Sequence, residues 1–576
     1  MQKKIIRREY NQESALTELH PLLQRIYAAR YIKSAKELDR DLDSLISYQS
    51  LLGIDQAVQL LTEAITQNQK ILIVGDFDAD GATSTAIAMR ALRSFGAEHV
   101  KYLVPNRFAF GYGLTPELVN VALASSPDLI VTVDNGIANH AGVSAAKSNG
   151  IRVLITDHHL PAATLPEADA IVNPNQHGDI FPSKNLAGCG VIFYVMLALR
   201  RHLTSLQWFQ KKNLPEPNMS RLLDLVALGT VADLVQLDCN NRILVHQGLR
   251  RIRAGQCIPA IPALLELADR DLTRASATDL GFAVAARLNA AGRLDDMSLG
   301  IECLLCDDAA GAREIARTLD KLNNERRSIE KDMQVQALDA LNTLTNQLKG
   351  ELPRGLCLFD EAWHQGVIGI LASRIKDKFY RPVIVFAPGQ EGELKGSARS
   401  ISGLHIRDAL AMLDAQFPQL IMKFGGHAMA AGLTIQHAQL DAFAKAFNDV
   451  VSRQLTDAQL EHSLLTDGEL SSVDFNLESA LMLREAGPWG QGFPEPLFDD
   501  TFRILEQRLV GDKHLKLKLA KDNKVIDAVS FFVNTSDWPN HRCSHIRAAY
   551  KLDINEYKGN RSVQLIIEYF EPTLPV

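Results

Sequence analysis

The sequence predicts an α/β protein of several folded units. We expect a doubly wound, mostly parallel sheet, a long connecting helix, a second α/β domain and a C-terminal β-rich segment. Three patterns predict this order: short apolar runs alternate with helix-like segments from residue 71, one long stretch after residue 306 has helical spacing, and strict strand alternation appears after residue 460. At roughly 150 residues per domain, 576 residues allow three or four domains.

The composition is that of an ordinary soluble protein, with 46% hydrophobic and 22% charged residues. No apolar run approaches the roughly 20 residues of a membrane helix, and the basic N-terminus lacks the apolar stretch of a secretory signal. Seven scattered cysteines argue against a disulfide framework, so we expect a cytoplasmic protein. The net charge of −7 means that handling phosphates would require metal ions to reverse the local field.

The first unit is predicted over residues 1–306. Residues 1–70 are expected to be helical and irregular. The short β-branched runs then predict buried parallel strands, with helices between them; the runs are 71–74, 102–104, 129–133, 153–155 and 170–172. Residues 188–306 are expected to be mainly helical.

Acidic clusters follow three of these strands. They are Asp76, Asp78 and Asp80 after the first, Asp134 after the third, and Asp157, His158 and His159 after the fourth. Ligands of doubly wound sheets bind beyond the carboxyl ends of the strands, which is where these side chains are expected. Asp233 follows a predicted helix over 222–232.

Carboxylates gathered this closely would repel one another unless a divalent metal lies between them. Oxygen and imidazole ligands without thiolate suit Mn²⁺ or Mg²⁺ better than a structural zinc. There are enough ligands for two ions, which could clamp the attacking and leaving oxygens of a phosphoryl displacement. A single Asp after a strand is most often a turn former or helix cap, but three clusters at one sheet edge favour the metal site.

Two other motifs do not predict a functional site. Residues 75–84 resemble a nucleotide P-loop, but five residues separate Gly75 from Gly81 and no Lys follows. Cys303 and Cys306 form a single CxxC with no second pair at zinc-finger spacing, so a structural role is expected.

The rest of the chain is predicted to form three further segments. Residues 307–350 fit one helix of roughly 60 Å. Residues 351–455 contain strand-like runs at 355–359 and 382–386 and predict the second α/β domain. In the β-rich segment 460–576, alternation places His514, Lys516 and Lys518 on one face of a strand, and 558–561 predicts a hairpin turn.

Several motifs carry a family resemblance. Asp76–Gly81, Asp134–Gly136, Asp157–His159 and Thr230–Asp233 resemble the four ordered motifs of the DHH phosphoesterase superfamily, and Phe424–His427 with Gly396–Ser400 resembles the DHHA1 domain. With Val104–Arg107, Arg287–Arg293 and Trp363–Gly366, nearly the whole chain resembles the RecJ family of bacterial 5′→3′ exonucleases specific for single-stranded DNA. Ala398, Ala286 and Gln236 depart from that pattern, and none is a proposed ligand.

The resemblance implies a role for each motif residue. Asp78, Asp80, Asp134, His158 and Asp233 would bind two Mn²⁺ or Mg²⁺ ions, with Asp134 bridging them. Asp76, Asp157 and His159 would orient ligands and tune the attacking water. The groups expected to hold phosphates or DNA are Arg107, Arg287, Asn289, Arg293, Ser397, Arg399 and His427, with a 5′-terminal phosphate as anchor. A plain salt bridge remains open for Arg287 and Arg293, and a turn-capping role for His427.

The tail resembles an OB-fold, a small β-barrel. Its basic and aromatic groups could track a DNA backbone and stack bases; they are His514, Lys516, Lys518, Lys551, Tyr557, Lys558 and Arg561. Alternating lysines on an exposed strand are also a solubility device, which remains the alternative.

The resemblance implies degradation of single-stranded DNA to 5′-mononucleotides in mismatch repair, recombination and base excision repair. It also implies a monomer, with single-strand binding protein and a RecQ-type helicase as partners. Other DHH phosphoesterases, which hydrolyse pyrophosphate, very short RNAs or cyclic dinucleotides, are generally shorter. A non-catalytic scaffold that binds single strands is disfavoured because every motif acid is present.

Overall fold

The computed structural model describes residues 3–10, 16–106, 110–347, 352–390, 392–511, 513–557 and 559–574, without the side chains of 343–347 and 557. Its elements follow the predicted order of α/β unit, long helix, second α/β unit and barrel. This confirms the predicted fold class.

The first unit is built on a five-stranded parallel sheet. Its elements, with the N-terminal strand, are β1 (Lys4–Arg7), α1 (Pro21–Ala28), α2 (Ile54–Thr66), β2 (Ile71–Val74), α3 (Ala79–Ser94), β3 (Val100–Leu103), α4 (Pro116–Ala122), β4 (Leu129–Val133), α5 (His140–Ser148), β5 (Arg152–Thr156) and β6 (Ala170–Val172). The strand order is β3-β2-β4-β5-β6, and every neighbouring pair is parallel. The chain therefore changes direction across the sheet between β2 and β4, the point where doubly wound folds bind ligands.

Both faces of this sheet are buried, as the continuous apolar strands predict. One face packs on α4 and α5, and the other packs on α2, α3 and the helices that follow. Those helices are α6 (Gly188–Ser205), α7 (Trp208–Lys211), α8 (Leu223–Ala232), α9 (Cys239–Arg253), α10 (Ala260–Leu267), α11 (Ala277–Asp279), α12 (Ala286–Leu294) and α13 (Ser298–Leu305).

The predicted long helix is a single element of 39 residues, α14 (Ala309–Gln347). Its first half buries Ala312, Ala316 and Leu319 against the helices of the first unit, and its second half buries Met333 and Ala337 against the second unit. One rigid rod therefore sets the separation of the two units.

The second unit is a mixed five-stranded sheet in the order β10-β11-β9-β8-β7. Its elements are β7 (Leu356–Phe359), α15 (Ile368–Phe379), β8 (Val383–Pro388), β9 (Glu393–Arg399), α16 (Ile406–Gln416), β10 (Lys423–Gly426), β11 (Ala430–Gln436) and α17 (Leu440–Gln454). Helices α16 and α17 cover one face, and α14 and α15 pack on the other, where α15 lies over β8 and β9.

The C-terminal unit is a closed five-stranded barrel in the order β13-β14-β15-β17-β16. Its elements are β12 (Ser463–Thr466), α18 (Leu477–Glu485), β13 (Phe498–Val510), β14 (His514–Lys521), β15 (Lys524–Ser530), β16 (His545–Tyr557) and β17 (Asn560–Pro572). In β14, Leu515 and Leu517 are buried while the residues between them face outward, as the alternation predicts.

The prediction that residues 1–70 are only helical and irregular is wrong at Lys4–Arg7. These residues form β1, which pairs in parallel with β12. Helix α1 also places Leu22 and Ile26 in the core of the barrel. The N-terminal segment therefore helps to build the C-terminal unit. In the part of the chain that the structure describes, no helix is both long and apolar enough to cross a membrane.

Candidate metal centre

The acidic residues predicted from sequence meet at the carboxyl edge of the first sheet. Asp76, Asp78 and Asp80 follow β2, Asp134 follows β4, and Asp157 follows β5. These three strands are neighbours, with β2 and β4 on either side of the point where the strand order reverses. The edge is thus lined by carboxylates from three consecutive loops.

The loop after β2 is shaped by its own carboxylates. Asp78 caps α3, because its Oδ1 accepts hydrogen bonds from the backbone N–H groups of Asp80 and Gly81 at 2.9 and 3.0 Å. Asn289 holds the same turn, since its Oδ1 accepts from the N–H of Ala79 at 2.8 Å. This contact gives Asn289 a loop-positioning role; its predicted contact with DNA stays a prediction.

Asp80 is buried against the start of α6. Its two oxygens accept hydrogen bonds from the N–H groups of Gly188 at 2.6 Å and Cys189 at 2.9 Å. Burial, with the charge of Asp78 beside it, raises the pKa of Asp80 to about 6. The amides fix the carboxylate in place, and a cation would remove the repulsion that raises its pKa.

Asp134 and His158 bring two orphaned atoms together. Asp134 Oδ1 lies 3.1 Å from His158 Nε2, yet both atoms are buried without a well-formed hydrogen bond among the described residues. Burial and the neighbouring carboxylates raise the pKa of Asp134 well above its usual range. Burial also lowers the pKa of His158 to about 3, which leaves a neutral imidazole. A buried carboxylate oxygen and a neutral ring nitrogen that face one another are a natural pair of metal ligands.

The potential ligands form three groups, and within each the ligand atoms lie within 4.8 Å of one another. Two of the groups are Asp76, Asp78 and Asp134, and Asp80, His158 and Asp233. The third, which overlaps both, contains Asp134, Asp157, His158 and His159. Asp233 Oδ2 also lies 3.5 Å from His158 Nε2, at the end of α8. The Asp134–His158 contact joins the first two groups, so the described residues offer two neighbouring ligand sets, enough for two cations.

Asp157 and His159 form an ion pair beside these groups. Asp157 accepts from His159 Nδ1 at 2.8 Å and from the N–H of Ile137 at 2.9 Å. Burial opposes the charged carboxylate, but the charge and hydrogen bond of His159 outweigh it and lower the pKa of Asp157 to about 2. Burial likewise opposes the charged imidazole, but Asp157 raises the pKa of His159 to about 9. The centre therefore holds a cationic His159 next to a neutral His158.

The second unit reaches this centre through His427. Its ring stacks on that of His159, with centroids 5.9 Å apart and an angle of 24°. A hydrogen bond also joins the two units: the Arg293 guanidinium donates to the carbonyl oxygen of Gly366, at 3.3 Å. A substrate at the metal groups would therefore lie between the two units.

Two predicted phosphate-binding groups sit together on β9. Arg399 donates to Ser397 Oγ at 3.1 Å, and both lie close to Gly369 at the start of α15. Burial lowers the pKa of Arg399. By contrast, Arg287 is buried and its guanidinium donates to Asp320 at 2.9 Å, so its contacts favour a structural role. Arg107 lies outside the described residues.

The barrel residues predicted to bind DNA are partly engaged with acids. Lys518 contacts Glu506 at 3.2 Å and Arg561 contacts Glu556 at 3.1 Å. Lys551 contacts Glu495 and Glu568 at 2.8 and 3.2 Å. His514 and Lys516 lie on the outer face of β14. Lys558 and the side chain of Tyr557 are outside the described residues.

Sequence reasoning missed several residues that shape the centre but are not among its proposed ligands. The Tyr112 hydroxyl donates to the carbonyl oxygen of Asp134 at 3.0 Å and lies 3.1 Å from His159 Nδ1. Gly188 and Gly229 leave space for the acids, since a Cβ on Gly188 would lie 2.6 Å from that of Asp134. For Gly188 and Gly229 the available signal was a glycine at the start of a helix or within one, where alanine is the more favourable residue.

Comparison with protein families places all three units. Residues 70–230 match the DHH family N-terminal domain, residues 352–453 match the DHHA1 domain, and residues 466–569 match the RecJ OB domain. A protein of Salmonella typhimurium named single-stranded-DNA-specific exonuclease RecJ is 53% identical over 574 residues, 99% of each chain. The chain belongs to the RecJ family. The Escherichia coli RecJ is also 53% identical, over 98% of each chain.

Solved RecJ structures share the whole arrangement. RecJ of Thermus thermophilus in complex with Mn²⁺ matches with a TM-score of 0.79 and 30% identity, over 98% of this chain and 77% of that one. The Mg²⁺ complex of the same protein matches with a TM-score of 0.74.

Proposed function

We propose that this RecJ-family chain is a single-stranded-DNA-specific exonuclease that hydrolyses phosphodiesters with two divalent cations. The observation that carries the proposal is the pair of ligand groups joined where Asp134 Oδ1 faces His158 Nε2. The donor set fits Mn²⁺ or Mg²⁺, since it offers carboxylate oxygens and one neutral imidazole without thiolate. The relatives' exonuclease names and the Mn²⁺ and Mg²⁺ complexes of a solved relative support the same assignment.

The bound cations would supply an acidified water and would neutralise charge on the scissile phosphate. The protein's own residues hold the geometry for this. The amides of Gly188 and Cys189 fix Asp80, and Asp78 is fixed by the start of α3. Cationic His159 sits where it could stabilise negative charge on the phosphate, and Asp157 keeps it protonated.

The direction of cutting is proposed to come from the second unit. Ser397 and Arg399 offer a hydroxyl and a guanidinium on β9, and His427 reaches the metal groups. Such donors suit a terminal phosphate, so we infer that they hold the 5′ end while the first phosphodiester lies over the cations. A strand would thus be shortened from its 5′ end to 5′-mononucleotides.

The barrel is proposed to capture the strand before it enters the cleft. OB-type barrels bind single strands by combining cationic groups with aromatic side chains. The family resemblance further places the enzyme in cytoplasmic DNA repair and recombination, acting as a monomer with single-strand binding protein and a RecQ-type helicase. These pathway and partner assignments remain predictions.

The test is digestion of single strands labelled at the 5′ or the 3′ end. With Mg²⁺ or Mn²⁺, a 5′-phosphorylated strand with a 5′ label should release labelled mononucleotide at once, whereas a 3′ label should appear first in a ladder of shortening products. EDTA and Asp134→Ala should each reduce the rate at least 100-fold, because both remove the cation that activates water. Full activity in EDTA would refute the metal mechanism, and a mononucleotide released first from the 3′ end would refute the polarity.

A further inference from the structure

The barrel exposes two adjacent aromatic rings at the end of one of its strands. Phe531 and Phe532 directly follow β15 and are 51% and 76% exposed. Val510, also exposed, lies opposite His514 across β13 and β14 at the same end of the barrel. Single exposed apolar residues are common, but neighbouring ones indicate a contact surface.

The backbone at Phe532 has an unusual conformation. Its φ is 56°, in the left-handed region that favours Gly, Asn or Asp. The turn is tied to the start of β14, because the N–H of Phe532 donates to His514 Nδ1 at 3.3 Å and that of Val533 donates to the carbonyl of Lys513 at 2.9 Å. A large exposed ring therefore occupies a position where glycine would be less strained.

His514 arranges the two rings. Its imidazole lies edge to face with both, with centroids 5.2 Å from Phe531 and 4.9 Å from Phe532 and interplanar angles of 76° and 73°. Edge-to-face contacts of this kind hold aromatic rings in defined orientations. The three residues, His514, Phe531 and Phe532, are called the aromatic platform below.

Positive charge surrounds the aromatic platform. Lys513 and Arg508 are exposed, and Arg508 lies directly opposite the outward-facing Lys516 on the neighbouring strand. Within the described residues none of these three cations forms an ion pair, whereas Lys518, further along β14, is paired with Glu506. Exposed rings flanked by unneutralised cations are complementary to a polyanion with flat apolar groups.

We propose that the aromatic platform stacks unpaired bases of the DNA strand while Lys513, Lys516 and Arg508 contact its phosphates. The inference rests on the proposed function and deepens it, since it names how the barrel recognises the substrate. Every base offers a ring face, so stacking tolerates any sequence. In a duplex those faces are covered by neighbouring pairs, so the platform would select single strands.

Two variants test the platform in the full-length protein. Phe532→Gly removes the ring and suits the left-handed backbone, so the thermal unfolding temperature should be unchanged or higher. Phe531→Ala removes the other ring. In EDTA, each should raise the Kd for 3′-fluorescein oligo(dT) about fivefold or more, by fluorescence anisotropy. Binding of an abasic strand of equal length should not change, because it has phosphates and no bases.

Tyr31→Gly is the matched control, because Tyr31 is 83% exposed at φ 60° next to α1 rather than on the barrel. It should leave oligo(dT) affinity unchanged. If Phe531→Ala and Phe532→Gly bind oligo(dT) as tightly as the wild type does, the platform does not stack bases, and the exposed rings would instead contact a protein partner. Equal losses for oligo(dT) and the abasic strand would overturn the proposal too. In both cases the wild-type protein should still digest single-stranded DNA when Mg²⁺ or Mn²⁺ is present. A wild-type protein that does not digest DNA under these conditions would count against the proposed function itself.

Discussion

At the scale of single residues, the metal centre depends on the groups that position the proposed ligands as much as on those ligands themselves. Asp80, Asp134 and His158 are predicted as ligands because three clusters meet at one sheet edge, whereas a single Asp there is most often a turn former or helix cap. The sequence also predicts that Asn289 and Arg287 contact phosphate or DNA, and this stays a prediction; in the structure Asn289 accepts from the N–H of Ala79 and Arg287 donates to Asp320. Amide and guanidinium side chains form structural hydrogen bonds as readily as they bind phosphate. The residue type therefore does not distinguish these two roles, and only the tertiary contacts do.

His158 gives a direct test of the metal groups. Its Nε2 faces Asp134 and Asp233 at 3.1 and 3.5 Å, and burial keeps the ring neutral. His158→Ala should lower the stoichiometry of Mn²⁺ binding from two to one, or weaken binding at least tenfold, because a nitrogen ligand is lost. Isothermal titration calorimetry without DNA measures this.

His246→Ala is the matched control for that titration. His246 is also partly buried, and burial with the nearby charges of Arg40 and Arg253 lowers its pKa to about 4. It belongs to none of the potential metal groups among the described residues. Its variant should bind Mn²⁺ as the wild type does, and wild-type binding by His158→Ala as well would contradict the assigned ligand.

At the scale of elements, local periodicity predicted most strands and helices but not their distant partners. The run 71–74 and the run 129–133 are the observed β2 and β4, because buried parallel strands are continuous apolar runs. Strand β1 has only four residues, and its pairing partner lies more than 450 residues away. Nothing within so short a segment distinguishes a paired strand from an irregular terminus.

The junction of β1 with the barrel should depend on Asp499 and therefore on pH. This buried carboxylate accepts from Arg7 at 3.1 Å, Thr466 at 2.6 Å and Arg547 at 2.9 Å. Burial opposes its charge, but these donors outweigh burial and lower its pKa. Asp499→Asn should reduce the free energy of unfolding by about 2 kcal/mol at pH 7, since it removes charge-assisted hydrogen bonds.

The sign of the pH dependence follows from the lowered pKa. The stabilisation is complete above the unfolded pKa of about 3.9 and is lost as the pH falls through the lower folded value. Urea unfolding at pH 7, 5, 4 and 3 should therefore show the wild type and Asp499→Asn converging towards pH 3. Asp527→Asn, on the outer side of β15, is the control and should change stability by less than about 0.5 kcal/mol. A constant difference across this range would contradict the assigned role of the charge.

At the scale of the whole molecule, the order of the units was predictable and their packing was not. Each unit has its own hydrophobic periodicity in the sequence, and the long helical pattern of α14 predicts the connection between two of the units. The contact between the two units, Arg293 with Gly366, joins the last turn of α12 to the turn before α15, and neither sequence indicates the other as its partner. The same holds for the N-terminal segment, whose Tyr27 stacks on Phe493 and donates to the carbonyl of Ala486. Such contacts arise from complementary surfaces, which one sequence does not display.

The cleft itself can be tested at Gly366. A Cβ there would lie 2.2 Å from the carbonyl oxygen of Arg293, so Gly366→Ala must push the two α/β units apart. A shift of about 1 Å between the metal groups and Ser397, Arg399 and His427 should lower kcat on a 5′-phosphorylated strand roughly 100-fold. Mn²⁺ binding should stay intact, because all proposed ligands are in the first unit. Gly311→Ala is the control, since its Cβ would meet only flexible side chains at 3.1 Å or more near the start of α14. Normal kcat in Gly366→Ala would mean that the spacing of the units does not govern catalysis.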